Sequence, residues 1–256
     1  MAVLVTRPDE RGQQLVEMLA KAGIVAIHLP LFTIEAGADL NELPNKFAKL
    51  KADDYVFIVS KSAVDFADKA LKDTGFAWRD DLHYFTVGQG TAQYFAATTA
   101  MAVHYPTSQE NSEGVLQLPA MQNLQGKTVL ILRGNGGREL LSEQVQQRGA
   151  NVEIVECYRR EPLVYNNVEQ TSLCKRAGIQ TIVATSGEIL TQLLDFVPRN
   201  EHNWLKSCQL ITVSERISHW RRHWAGRMWL FHLVRIIKHY YKPYYNVVNA
   251  TCLFYR

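Results

Sequence analysis

The sequence predicts an α/β protein whose two halves are similar and are built on parallel sheets. The first observation is an internal repeat at a constant offset of 126 residues, in which segment 3–7 (VLVTR) matches segment 129–133 (VLILR). The second is the alternation of short β-rich runs with helical patterns of 10 to 15 residues, a pattern typical of βαβ units. A duplicated βαβ pattern predicts two related α/β domains.

The repeat locates the individual elements. Segment 55–60 matches 181–186, and segment 85–87 matches 211–213, at the same offset. Helical spacing predicts helices over 14–22 and 140–148, each followed by a glycine stop, and Asn111 is placed to cap another helix. The β-rich runs predict strands at 2–6, 25–29, 55–59, 83–87, 100–104, 128–132, 152–157, 180–184 and 209–213.

Composition excludes several classes of protein. The first ten residues contain Arg7, Asp9 and Glu10 and so lack the pattern of a signal peptide, and no apolar run approaches the roughly 18 residues of a membrane span. The four cysteines include no CxxC pair, which favours reduced thiols over disulfides or a zinc site. We therefore expect a cytoplasmic protein with no membrane span and no metal.

Charge is distributed unevenly. Residues 1–216 hold 21 of the 28 basic residues and all 25 acidic ones, a net charge of −4, which argues against a nucleic-acid partner. The repeat stops near Ile217, and the tail 218–256 is basic and carries ten of the 26 aromatic residues. Three interpretations of the tail stay open: a shifted reading frame, a divergent end of the fold, and a basic amphipathic segment that contacts membrane or nucleic acid.

Candidate binding residues lie where strands end and helices begin, which is where open α/β sheets bind ligands. Neither glycine loop completes GxGxxG, and no P-loop is present, which weakens a nucleotide-binding interpretation. Ordinary βα turns with capping residues remain an equal alternative for each turn. The turns contribute Ser60, Ser62, Gly88, Asn135, Thr185, Ser186, Gly187 and Ser214.

Three further side chains stand out. Arg7 and Arg133 match each other at strand ends and are suited to clamp carboxylates in a bidentate manner. Tyr158 closes a predicted strand and matches Phe32, so its hydroxyl is new in the second copy. From the residues alone, packing with a hydrogen-bonded tip is the favoured role of this tyrosine. Cys157 has no His or Asn motif beside it, so we expect no nucleophilic role.

Six segments resemble, in their order and spacing, the bacterial type of uroporphyrinogen-III synthase over residues 1 to about 217. They are AVLVTRP, TVGQGTA, NSEGVLQL, KTVLILRGNGGRELL, IVECYRR and QLITVSERI. The resemblance implies two doubly wound parallel-sheet domains joined by a two-strand linker near 32–37 and 158–164. The implied domains are 1–34 plus 167–217, which is discontinuous, and 40–160, followed by the atypical tail 218–256.

The resemblance also implies a function. The family cyclises the linear tetrapyrrole hydroxymethylbilane to uroporphyrinogen III, inverting the last pyrrole and losing water, without metal or cofactor. Tyr158 matches the family's cleft tyrosine and becomes the candidate general acid, because a phenol is protonated at neutral pH. Thr91 matches a cleft threonine, and the turn residues would bind the substrate's carboxylates. The family also implies a monomer.

Two other functions remain open at this point. A non-catalytic two-lobed module that binds a polyanionic small molecule would use the same loops without needing Tyr158. A synthase with a frame-shifted C-terminus would keep the fold and lose the activity.

Overall fold

The computed structural model describes residues 2–137, 139–212 and 228–230, in which strands and helices alternate along the chain. The strands are β1 (Ala2–Val5), β2 (Val25–His28), β3 (Phe32–Ala36), β4 (Tyr55–Ile58), β5 (His83–Thr86), β6 (Val103–His104), β7 (Thr128–Gly134), β8 (Asn151–Pro162), β9 (Ile179–Ala184), β10 (Gln209–Thr212) and β11 (Met228–Leu230). The helices are α1 (Asp9–Lys21), α2 (Leu43–Ala48), α3 (Lys61–Asp73), α4 (Gln89–Thr99), α5 (Ser112–Leu116), α6 (Leu140–Gln147), α7 (Asn167–Arg176), α8 (Gly187–Phe196) and α9 (His202–Ser207). This alternation confirms the predicted α/β class.

The chain divides into two units. The first unit is the described part of Met1–Thr33 and Glu161–Arg256, and the second unit is Ile34–Arg160. The sheet of the first unit has the order β11-β10-β9-β1-β2, and all of its neighbouring strands are parallel. The other sheet has the order β3-β8-β7-β4-β5-β6, and its strands from β8 to β6 are parallel.

The repeat in the sequence does not coincide with the units. At the offset of 126, β1 corresponds to β7, β2 to β8, β4 to β9 and β5 to β10. The first unit therefore combines β1 and β2 of the first copy with β9 and β10 of the second copy, and the second unit combines the complementary strands. Apart from the edge strand β3, the two sheets have corresponding strand orders, because each unit combines complementary parts of the two copies.

Most element boundaries agree with the sequence, and the differences have local causes. Helix α1 begins at Asp9, five residues before the predicted start at 14. Pro8 occupies its N-cap position without a side-chain hydrogen bond, and the acidic residues of the first turn favour the helix start. Strand β6 is shorter than the predicted 100–104 because Ala100 takes a left-handed conformation, φ 60°, at the end of α4. Asn111 caps α5 as predicted, its side chain accepting the Gly114 N–H at 2.9 Å.

Alternate side chains of the strands build the cores. In the second unit, Val56 and Leu130 pack with α3 on one face of the sheet, whereas Phe57 and Ile131 pack with α6 on the opposite face. Among the described helices, none combines the length and apolar character needed to cross a bilayer. Apart from β11, the tail lies outside the described residues, so its three interpretations stay predictions.

Candidate functional site

Each sheet has one point where its strand order reverses. In the second unit, β4, β5 and β6 extend in one direction while β7 and β8 extend in the other, which places the reversal between β4 and β7. Ligands of open α/β sheets bind outside the carboxyl ends of the strands at such a point. Ser60 follows β4, and Asn135 follows β7. Sequence-predicted residues of the second unit therefore stand at its topological switch point.

A cavity of about 250 Å³ opens at this position. Its wall combines apolar side chains from the strands with hydroxyl, amide and guanidinium groups and a glycine-rich turn. The lining residues are Phe57, Val59, Ser60, Val87, Ser112, Ile131, Arg133, Gly134, Asn135, Gly136, Gly137, Leu141, Ser142, Tyr158 and Arg160.

The Tyr158 hydroxyl is the most notable polar group of the cavity. Its side chain is 4% exposed, and its ring stacks on Phe66 with a centroid separation of 6.4 Å. Ser60 Oγ donates a hydrogen bond to the phenol oxygen at 3.1 Å and accepts the Ala63 N–H at 3.2 Å. With Ser60 as the donor, the phenol proton has no further acceptor among the described residues, so it is available to a molecule in the cavity.

Backbone features hold Tyr158 in place. A Cβ on Gly134 would lie 2.6 Å from the ring atoms Cε2 and Cζ, so only glycine allows this approach. The pairing of β7 with β8 shifts register between Arg133 and Gly134, which places Gly134 beside Tyr158. Asn135 N–H donates to the Tyr158 carbonyl at 3.0 Å. The Asn135 amide also bonds the backbone N–H and carbonyl of Arg160, at 2.8 and 3.3 Å.

Two arginines add positive charge to the wall. The Arg160 guanidinium carbon lies 5.6 Å from the centroid of the Tyr158 ring, a cation–π geometry. Arg133 Nη2 donates to Glu139 Oε1 at 2.9 Å. The Arg133 hydrogen bond, followed by one from Ser142, lowers the pKa of Glu139. The cavity is thus suited to an organic anion and presents one phenol proton to it.

Comparisons with known proteins identify the family of the chain. The family model described as uroporphyrinogen-III synthase HemD matches residues 13–219, which is most of the chain. The chain belongs to the uroporphyrinogen-III synthase family. It is 42% identical to the uroporphyrinogen-III synthase of Salmonella typhimurium over 224 residues, 87% of this chain and 91% of that protein. It is 43% identical to that of Proteus mirabilis over 194 residues, 76% of this chain and 98% of that protein.

Solved structures of the family share the fold. The chain superimposes on a mutant uroporphyrinogen III synthase from Thermus thermophilus with a TM-score of 0.69 at 14% identity, covering 94% of this chain and 97% of the other. The wild-type protein in another crystal form gives a TM-score of 0.55 at 13% identity, covering 98% and 99%. Family membership favours the synthase over a non-catalytic binding module and over an inactive frame-shifted chain.

The remaining predicted residues of this synthase-family chain divide between the two units. Ser62 and Thr91 lie in the first turns of α3 and α4, and Gly88 caps α4; all three are outside the cavity lining. Arg7 follows β1, and Thr185, Ser186 and Gly187 follow β9. Since the first unit's sheet reverses between β1 and β9, these residues mark its own switch point. Ser214 lies outside the described residues.

Three polar residues of the cavity were not singled out by the sequence: Arg160, Ser112 and Ser142. A signal existed for Arg160, because residues two apart on a strand point to the same face, and Arg160 is two residues beyond Tyr158. The two serines had no comparable signal, since they lie in helices α5 and α6 and only the packing of these helices brings them to the cavity.

Cys157 adjoins Tyr158 in sequence yet is chemically inert. Its side chain is fully buried, and burial, reinforced by the charge of Asp39, raises the pKa of the thiol to about 12. The thiolate needed for nucleophilic attack is therefore negligible at neutral pH. Within the described residues, no group of three His, Cys, Asp or Glu side chains is arranged to hold a metal ion.

Proposed function

We propose that this chain converts hydroxymethylbilane into uroporphyrinogen III, with Tyr158 as the general acid. The observation that carries the assignment is the Tyr158 hydroxyl, which lies at the switch-point cavity of a synthase-family chain and receives a hydrogen bond while its own proton remains available. A reaction that begins with the departure of a hydroxyl group needs a donor of this kind.

The proposed first step transfers the phenol proton to the oxygen of the substrate's hydroxymethyl group. The Tyr158 O–H bond breaks, the carbon–oxygen bond of the substrate breaks with its electron pair going to oxygen, and water leaves. A cation remains on the substrate and a phenolate on Tyr158. The substituted carbon of the terminal pyrrole attacks the cation to give a spiro intermediate, and rearrangement closes the inverted ring. The proton that the ring then loses restores the phenol, so that one substrate gives one product and one water.

The protein's larger contribution is positional. Without enzyme the substrate closes to the symmetric isomer I, so the folded conformation of the bound cation decides the product. Binding through many carboxylates would impose that conformation, and Arg133 and the amide-rich turns are suited to bind them. The proposed substrate-binding set is Arg7, Ser60, Ser62, Gly88, Thr91, Arg133, Asn135, Thr185, Ser186, Gly187 and Ser214.

In this set the structure gives two residues a second role. Ser60 caps α3 and bonds Tyr158, and the Asn135 amide is engaged with the Arg160 backbone. We therefore expect Ser60 to contribute to the site mainly through Tyr158. Asn135 should act on the substrate mainly through its main chain and through the position it gives β8.

Three further attributes belong to the proposal. The reaction is that of a hydro-lyase that needs no added cofactor, the protein works in the cytoplasm, and it is a monomer. The family resemblance supports the first and third, and the spacing of the cysteines supports the second.

The test is to present freshly prepared hydroxymethylbilane to the purified chain and to resolve the porphyrin isomers after oxidation. Isomer III in excess over isomer I supports the assignment, whereas isomer I at the uncatalysed rate refutes it. Tyr158→Phe is expected to lower kcat by about 100-fold without abolishing turnover, because the binding geometry remains.

Tyr55→Phe is the matched control for that substitution. It also removes a phenol hydrogen bond in the second unit, that of Tyr55 to the Ala120 carbonyl at 3.2 Å, but Tyr55 does not line the cavity. A wild-type kcat in Tyr158→Phe would contradict the acid role even if isomer III forms.

A further inference from the structure

The two copies of the repeat carry the same helix cap but use it differently. Ser60 caps α3 and accepts the Ala63 N–H at 3.2 Å, while its counterpart Ser186 caps α8 and accepts the Ile189 N–H at 3.2 Å. The counterpart of Tyr158 is Phe32, which has no hydroxyl. Within the part of the chain that the structure describes, Ser60 bonds a phenol and Ser186 does not.

The capping bond occupies one lone pair of the Ser60 oxygen and leaves its single proton for a second bond. The Ser60 oxygen accepts the amide of the helix, and its single proton is donated to the phenol oxygen of Tyr158. The Tyr158 proton is then directed away from Ser60. The ring itself cannot turn freely, because Phe66 stacks on it and the Gly134 backbone approaches it closely.

We propose that Ser60 is a positioning residue for Tyr158. Ser60 aims the phenol proton into the cavity and stabilises the phenolate oxygen once that proton has been transferred. This inference rests on the proposed function. During the step the Tyr158 O–H bond breaks and the Ser60 O–H bond remains intact. The hydrogen bond between them becomes charge-assisted, and such bonds are about twice as strong as neutral ones. A bond that strengthens in the transition state raises kcat rather than substrate affinity.

Ser60→Ala is therefore expected to lower kcat by about 10-fold and to leave KM within about twofold. The substitution also removes a helix cap, so its activity is compared with that of Asn166→Ala. Asn166 caps α7 through the Glu169 N–H at 3.2 Å and contacts no part of the cavity. We expect Asn166→Ala to lose a similar amount of thermal stability and to keep the wild-type kcat.

Two conservative variants separate capping from donation. Ser60→Thr keeps both the cap and the donor and should restore most of kcat. Ser60→Asp caps a helix as well as serine does but can only accept at neutral pH, so it should keep the melting temperature and lose kcat. Wild-type kcat in Ser60→Asp would overturn the inference, and this variant remains informative if Ser60→Ala folds poorly.

The decisive measurement is Ser60→Ala in a Tyr158→Phe background. If Ser60 acts through the phenol, adding Ser60→Ala to the Tyr158→Phe variant should change kcat by less than about twofold, since phenylalanine has no hydroxyl to orient. A further 10-fold loss in that background would overturn the inference and indicate that Ser60 acts on the substrate directly. A wild-type chain that yields only isomer I refutes the proposed function itself, which is a different result.

Discussion

Replacing Gly134 by alanine is expected to displace Tyr158 and to slow formation of isomer III by about 100-fold. The added Cβ would lie 2.6 Å from two ring atoms and 3.0 Å from the hydroxyl oxygen, whereas carbon atoms in contact are roughly 3.5 Å apart. The ring must therefore retreat by about 1 Å, and a misplacement of about 1 Å commonly costs about 100-fold in rate.

The same movement should break the bond to Ser60. That bond is 3.1 Å long, and a shift of about 1 Å away from it exceeds the range of a hydrogen bond. Overpacking of this kind also destabilises a core by about 1–3 kcal/mol. The assay is kcat for isomer III, measured at a temperature where circular dichroism shows the variant folded.

Gly75→Ala is the control for loss of stability. Gly75 has a φ of +78° and no atom within 4 Å of an added Cβ, so alanine there costs about 1–2 kcal/mol of backbone strain without touching Tyr158. We expect Gly75→Ala to melt earlier and to keep kcat. If Gly134→Ala is destabilised yet turns over at the wild-type rate, or if both variants lose kcat equally, the argument from ring position is refuted.

Two further predictions follow from titratable groups of the second unit. The pKa of Glu139 is lowered in the folded state because Arg133 and Ser142 bond its carboxylate. The contribution of Glu139 to stability is therefore present above the ordinary glutamate pKa and is lost as the pH falls through the lower pKa of the folded state. The urea midpoint of Glu139→Gln should lie slightly below that of the wild type at pH 7. The difference should shrink progressively as the pH falls below the ordinary glutamate value of about 4.3, and a gap that does not shrink in acid would contradict the assignment. Cys157 should react with iodoacetamide at pH 8 roughly 1,000-fold more slowly in the folded protein than in urea, because burial raises its pKa to about 12. Timed labelling with peptide mass spectrometry measures this, and rapid folded-state labelling would contradict it.

The sequence predicted the strands well because the repeat and the short β-rich runs are local signals. The β-rich run alone predicted a strand over 152–157, and only the family resemblance, which implies linker strands near 32–37 and 158–164, indicated that β8 continues to Pro162 as the neighbour of β3. That extension depends on pairing between segments more than 100 residues apart. The predicted helix over 14–22 was likewise too short, since the cap at Pro8 lies outside its apolar repeat.

The candidate site shows the same division between local and distant information. Ser60 and Tyr158 were identifiable as a turn residue and a strand residue, but they are 98 positions apart, and nothing local predicts their hydrogen bond. The importance of Gly134 was also hidden, because the distance between its Cα and the Tyr158 ring depends on a register shift between β7 and β8. Sequence periodicity does not report such shifts.

The exchange of strands between the repeat copies decides which serine lies beside the proposed acid. Tyr158 comes from the second copy on β8, and Ser60 comes from the first copy after β4, and both belong to the second unit. A duplication that kept each copy within its own unit would have placed Tyr158 with Ser186 and Phe32 with Ser60. Because both copies carry the capping serine, a single Phe-to-Tyr difference creates one hydroxyl pair in the second unit and none at the corresponding position of the first, and the exchange of parts makes Ser60 the partner of Tyr158. The symmetry of the fold is therefore broken at the position where the proposed chemistry needs one proton donor.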